Sequence, residues 1–115
     1  MDGFKNKFIK LAIKISSGDI LTTELDKYVS SNSNKTIFKD AIKDLMENDD
    51  NVVKILASRY SYEYNIDKKK SYRIARLLLR RDKSLVVRIE AKYIYDNYKR
   101  RHIKKITKLI RRKKI

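Results

Sequence analysis

The 115-residue chain has no cysteine and no proline, only two glycines, Gly3 and Gly18, and a single histidine, His102. Each shortage excludes something. Without cysteine there are no disulfides and no thiolate metal ligands, which fits a reducing compartment. With two glycines in the whole chain, no glycine-rich loop can cradle a nucleotide phosphate. From Asp19 to Ile115 there is neither glycine nor proline. That is unusual for a β protein with tight turns, and it points to helices joined by Asn, Asp and Ser. The lone His102, between Arg101 and a lysine-rich turn, has no His, Cys, Asp or Glu partners at ligand spacing, so no metal site is expected. Carboxylates crowd only in MENDDN, as Glu47, Asp49 and Asp50, where a helix end followed by a cap explains them. No catalytic residues and no cofactor are therefore expected. The opening stretch MDGFKNKFIKLAIKISSG lacks the long apolar run of a signal peptide or membrane span. The expectation is an intracellular protein of the cytoplasm, the nucleus, a virion or a ribonucleoprotein particle.

Acidic charge is also scarce, but only in one half. Residues 1–67 carry 10 Lys and Arg against 11 Asp and Glu, a net of −1. Residues 68–115 carry 20 against 3, a net of +17, which together give the overall +16. Mixed charge serves solubility well enough, whereas a one-sided field of this size repels itself. A near-neutral scaffold half and a basic half that binds a polyanion are the natural reading, within one domain spanning 1–115.

The hydrophobic pattern predicts an all-α fold, a compact bundle of about five or six helices in hairpins with a long basic C-terminal helix. Phe4, Phe8, Leu11 and Ala12 have helical spacing, and Gly18 supplies a left-handed stop. DILTTELDKYV reads as a second helix capped by Asp19 or Thr22, and SSNSNK as a loop. TIFKDAIKDLM puts Ile37, Phe38, Ala41, Ile42 and Leu45 on one side. Asp50 or Asn51 can cap VVKILASRYSYEY, NID makes a turn, and Asp67 can cap KKKSYRIARLLLRR. After RDKS, with Ser84 as cap, a last helix begins at Leu85. Its Ile103, Ile106, Leu109 and Ile110 share one arc, opposite Arg100, Arg101, Lys104, Lys105, Lys108, Arg111 and Arg112. A weak repeat is visible too. Phe4, Phe38 and Tyr72 lie 34 residues apart, as do Leu11, Leu45 and Leu79, while Leu25, Ala57 and Ala91 recur at 32 and 34. Periods near 34 are what stacked helical hairpins produce.

In the fifth helix Lys69, Arg73, Arg76, Arg80 and Lys83 recur at i, i+4, i+7, i+11 and i+14, a straight cationic stripe. Such a stripe can follow a phosphate backbone and release its counterions. With the basic arc of the last helix it forms the expected binding surface for nucleic acid, RNA or DNA. Seven of the eight tyrosines lie from Tyr60 onward. Tyr60, Tyr64, Tyr95 and Tyr98 read as core rings, and Tyr62 and Tyr93 as the rings free to meet bases. One alternative is a helix-turn-helix regulator. YSYEYNIDKKKSYRIAR places the small Ser61, the turn residue Asn65, the apolar Ile66 and the inward Ile74 at that motif's spacing, though Ser71 falls where an aliphatic is usual. A second is a protein-interaction module whose basic surface grips an acidic partner protein. A third is an anionic membrane surface, for which the final helix has a narrow apolar arc without Trp or Phe.

Overall fold

A computed structural model describes the backbone of residues 2–113 and, within it, the side chains of residues 3–101. Six helices follow one another: α1 (Asp2–Ser16), α2 (Thr22–Asn32), α3 (Phe38–Met46), α4 (Asn51–Glu63), α5 (Lys68–Arg81) and α6 (Leu85–Lys113). No strand occurs among the described residues.

The turns follow from local chemistry. Gly18 has φ +81°, and the amides of Gly18 and Asp19 close back onto Ile15 O and Lys14 O, which ends α1 with a left-handed cap. Asn65 does the same for α4 with φ +56°, while Ile66 N–H bonds Ser61 O at 2.8 Å. Asp50 accepts from Val52 N–H and Val53 N–H, and Asp67 accepts from Lys70 N–H, as the sequence predicts for α4 and α5. Between α5 and α6, Asp82 takes the Ser84 amide at 2.7 Å and the Asn51 side-chain amide at 2.8 Å, which ties that joint to the start of α4.

Some boundaries differ from the sequence reading. Neither Asp19 nor Thr22 caps α2. Leu21 occupies the cap position without a side-chain bond, and Asp19 instead accepts from Ser17 Oγ. Ser30, Ser31 and Asn32 belong to α2 and not to the following loop, because Asn32 and Ser31 bond back to the Tyr28 carbonyl. Ile37 precedes α3 and is exposed, so the apolar face of that helix is Phe38, Ala41, Ile42, Leu45 and Met46.

Helix α4 is the centre of the molecule. It packs against α1, α3, α5 and α6, and α2 packs on α1. Being covered on several sides, it has no polar stripe. Val52, Val53, Ile55, Leu56, Ala57, Ser58, Tyr60, Ser61 and Tyr62 are all buried. Phe8 meets the Tyr60 ring edge-on at 5.9 Å, and Phe4 meets Phe38 at 5.9 Å. From α6, Val87, Ala91 and Ile94 enter the same core. Among the repeat positions, Leu25, Ala57 and Ala91 are all fully buried, whereas Tyr72, the counterpart of Phe4 and Phe38, stays half-buried.

Candidate functional site

The face of α5 away from the core is cationic. Ser71, Ala75 and Leu78 are buried, which turns Lys69, Arg73, Arg76 and Arg80 outward, all exposed. Lys83 follows, exposed, in the joint. Arg73, Arg76, Leu77, Arg80 and Arg81 line a shallow hollow of about 250 Å³. The neighbouring lysines serve the fold instead. Lys70 pairs with Glu47 at the end of α3, and Lys68 lies 5.3 Å from the Tyr62 ring centre. That pairing also gives Glu47 a structural job, as capping does for Asp50.

On α6, Arg88, Lys92, Tyr95 and Lys99 follow at three- and four-residue steps and therefore share one side. Arg88, Lys92 and Lys99 are exposed. That side meets α5 through a tyrosine stack: Tyr72 lies 5.5 Å from Tyr95 and 4.4 Å from Tyr98, near-parallel to both. The stack brings the two cationic rows together. Lys99 Nζ sits 4.7 Å from the Tyr95 ring centre. The Lys99 ammonium beside it, with the charges of Arg76 and Arg80, holds the Tyr95 phenol below the ordinary tyrosine pKa. Lys99 is correspondingly raised by the Tyr95 hydroxyl.

Of the residues expected at the site, Lys69, Arg73, Arg76, Arg80, Lys83, Arg100 and Arg101 are exposed. Arg101 reaches back over Tyr62 at 5.9 Å. Lys104, Lys105, Lys108, Arg111 and Arg112 lie outside the described side chains, as do His102 and the arc of Ile103, Ile106, Leu109 and Ile110. Arg88, Lys92 and Lys99, exposed on the same side of α6, were not among the expected residues, although their register with Tyr95 was there to be seen in the sequence. The tyrosines sort differently from expectation. Tyr62 is 6% exposed, flanked by Lys68 and Arg101, and is not free to meet a base. Tyr64 is exposed, edge-on to Phe38. Tyr93 is exposed as expected, and burial, with the nearby Glu63 charge, raises its phenol pKa.

A second polar cluster is structural. Arg59 on α4, with a side chain only 11% exposed, joins Asp26 of α2, Glu63 of its own helix and Glu90 of α6. The Glu90 contact is 3.0 Å, and Tyr60 donates its hydroxyl to Asp26. Nε is buried and lies 3.4 Å from Glu63 without hydrogen-bond geometry. Burial alone would lower the Arg59 pKa, but the pull of the Glu90 and Asp26 carboxylates outweighs it, and the guanidinium stays charged. Burial raises the Glu63 carboxyl; Arg59 opposes this, and Asp26 and Glu90 add to it.

Among the described residues no group of three or more His, Cys, Asp or Glu side chains can hold a metal ion, and no helix is long and apolar enough to cross a membrane. No protein-family model matches the chain, and neither a curated protein nor a solved structure matches it.

Proposed function

We propose that the chain binds nucleic acid, RNA or DNA, without catalysis, through phosphate contacts from the cationic face of α5 and the adjoining side of α6, as a component of a nucleoprotein or ribonucleoprotein. The observation that carries this reading is the lack of internal counter-charge on that face. Residues 68–115 hold 20 Lys and Arg against 3 Asp and Glu, and among the described residues Arg73, Arg76, Arg80, Arg88, Lys92 and Lys99 form no ion pair. A row of exposed, uncompensated cations costs self-repulsion, which a phosphate backbone relieves while releasing its counterions.

The helix-turn-helix reading has a specific observation on its side. The α4–α5 turn has left-handed Asn65, and the buried Ser61 and Ser71 close it by bonding the Asp67 backbone. Against base readout stands Tyr72. In that motif it would face the major groove, yet here it stacks on Tyr95 and Tyr98 of α6. Phosphate contact therefore ranks first. The test is a set of binding isotherms for duplex DNA, single-stranded DNA, duplex RNA and anionic vesicles across a salt series. The expected result is tight, strongly salt-dependent binding to nucleic acids and weaker binding to vesicles. One sharply preferred duplex would promote the regulator, and no nucleic-acid binding would leave an acidic partner protein as the remaining ligand for this face.

A further inference from the structure

We propose that Arg76 and Arg80 of α5 with Tyr95 and Lys99 of α6 form a seat for a single phosphate group, in which the Tyr95 hydroxyl donates to a phosphate oxygen and the three cations balance its charge. The seat deepens the phosphate-binding reading and rests on the same face. Its geometry is held by the tyrosine stack. Tyr72 fixes Tyr95 and Tyr98 near-parallel at 5.5 and 4.4 Å, and Arg76 and Arg80 stand one and two turns beyond Tyr72 on α5. Lys99, one turn beyond Tyr95, brings its ammonium to the phenol, 4.7 Å from the ring centre. The largest charge effects on that hydroxyl come from Lys99 on its own helix and from Arg76 and Arg80 on the helix packed beside it. None of these three cations is ion-paired to a carboxylate among the described residues.

The chemistry favours an oxyanion over a base. The faces of Tyr72 and Tyr95 are occupied by the stack and by the Lys99 ammonium, so little ring surface remains to receive a nucleobase. The groups left pointing outward are one hydroxyl donor and three cationic donors. Guanidinium groups bind phosphate oxygens in a bidentate fork, and an ammonium adds a compact point charge. A phosphate bridging α5 and α6 would also offset the mutual repulsion of Arg76, Arg80 and Lys99.

Tripolyphosphate, added to the full chain, is the probe. Tyrosinate absorbance is followed against pH for the wild type and for Tyr95→Phe, and the difference isolates Tyr95. Without the probe Tyr95 should ionise below ordinary tyrosine. With the probe its titration should move upward, because the bound anion cancels the cations that favour the phenolate. Calorimetry should show roughly tenfold weaker tripolyphosphate binding for Tyr95→Phe, which keeps the ring stack but removes the donor. Arg76→Gln with Arg80→Gln should remove most of the ligand-induced shift. Tripolyphosphate that binds equally to all variants and leaves the Tyr95 titration in place overturns the seat. If nucleic acid still binds in that case, the wider reading stands without it. A Tyr95 that responds to tripolyphosphate in a chain that binds no nucleic acid leaves the seat standing and removes the nucleic-acid reading.

Discussion

The two halves of the chain differ most in the balance of their charge, a net of −1 over residues 1–67 against +17 over residues 68–115. In α1–α4, charged side chains join elements: Lys5 to Asp44 between α1 and α3, and Arg59 to Asp26 and Glu90 across α2, α4 and α6. On α5 and the adjoining side of α6, the exposed cations Arg73, Arg76, Arg80, Arg88, Lys92 and Lys99 make no ion pair among the described residues. Lys10, Lys14, Lys39 and Lys43 on α1 and α3 are also exposed without an ion pair among the described residues, but their half holds 11 Asp and Glu against 10 Lys and Arg, whereas residues 68–115 hold 3 against 20. The division is not one of packing, because α4 is covered by α5 and α6 as well as by α1 and α3. Charge, not the core, separates the halves.

The comparison breaks most visibly at Arg59. Replacing it with Ala leaves the Glu90 carboxylate, only 10% exposed, without its partner. The expected loss is about 3–5 kcal/mol of stability, measured by urea denaturation. Arg76→Ala, by contrast, should stay within about 0.5 kcal/mol of the wild type, because an exposed cation without an ion pair has little to lose in the fold. Equal effects at the two positions would erase the distinction.

A smaller loss is expected at Asp50→Ala, where two amides at the start of the central helix lose their acceptor. About 1 kcal/mol is the usual cost of such a cap, read from the same denaturation curves.

The gentlest effect is at Glu63. Its folded pKa lies above that of an ordinary glutamate, with burial the main cause. The folded state therefore holds the Glu63 proton more firmly than the unfolded state does. That contribution is fully present below the unfolded pKa and is lost as pH rises through the folded one. Stability measured across the range just above ordinary glutamate titration should fall less with rising pH in Glu63→Gln than in the wild type. An identical pH profile would mean that Glu63 is well solvated beside Arg59.

Much of this fold is written locally. Gly18 and Asn65 adopt left-handed backbones where the sequence expects turns, and Asp50 and Asp67 cap as their positions predict. The α5 stripe was legible because helical periodicity alone sets it. The Arg59 cluster was not, since its partners on other helices, Glu90 and Asp26, lie 31 and 33 residues away and no periodic pattern marks an ion pair between helices. Tyr62 misled for a related reason. It sits in a helix covered on several sides, and amphipathic reasoning assumes one wet face. The stacking of Tyr95 on Tyr72 likewise joins two helices and was not legible from either alone.

The most direct test of the central claim removes the same amount of charge from each region. One variant changes Lys69, Arg73, Arg76 and Arg80 to Gln; the other changes Lys10, Lys14, Lys39 and Lys43, all exposed on α1 and α3, to Gln. Both have the same net charge. Binding to one duplex is measured for both across a salt series. The account predicts that the α5 variant loses about 0.9 in the log–log salt slope for each phosphate contact removed, while the α1–α3 variant keeps the wild-type slope. Equal losses in the two variants would contradict it, because affinity would then follow net charge and not the face that carries it.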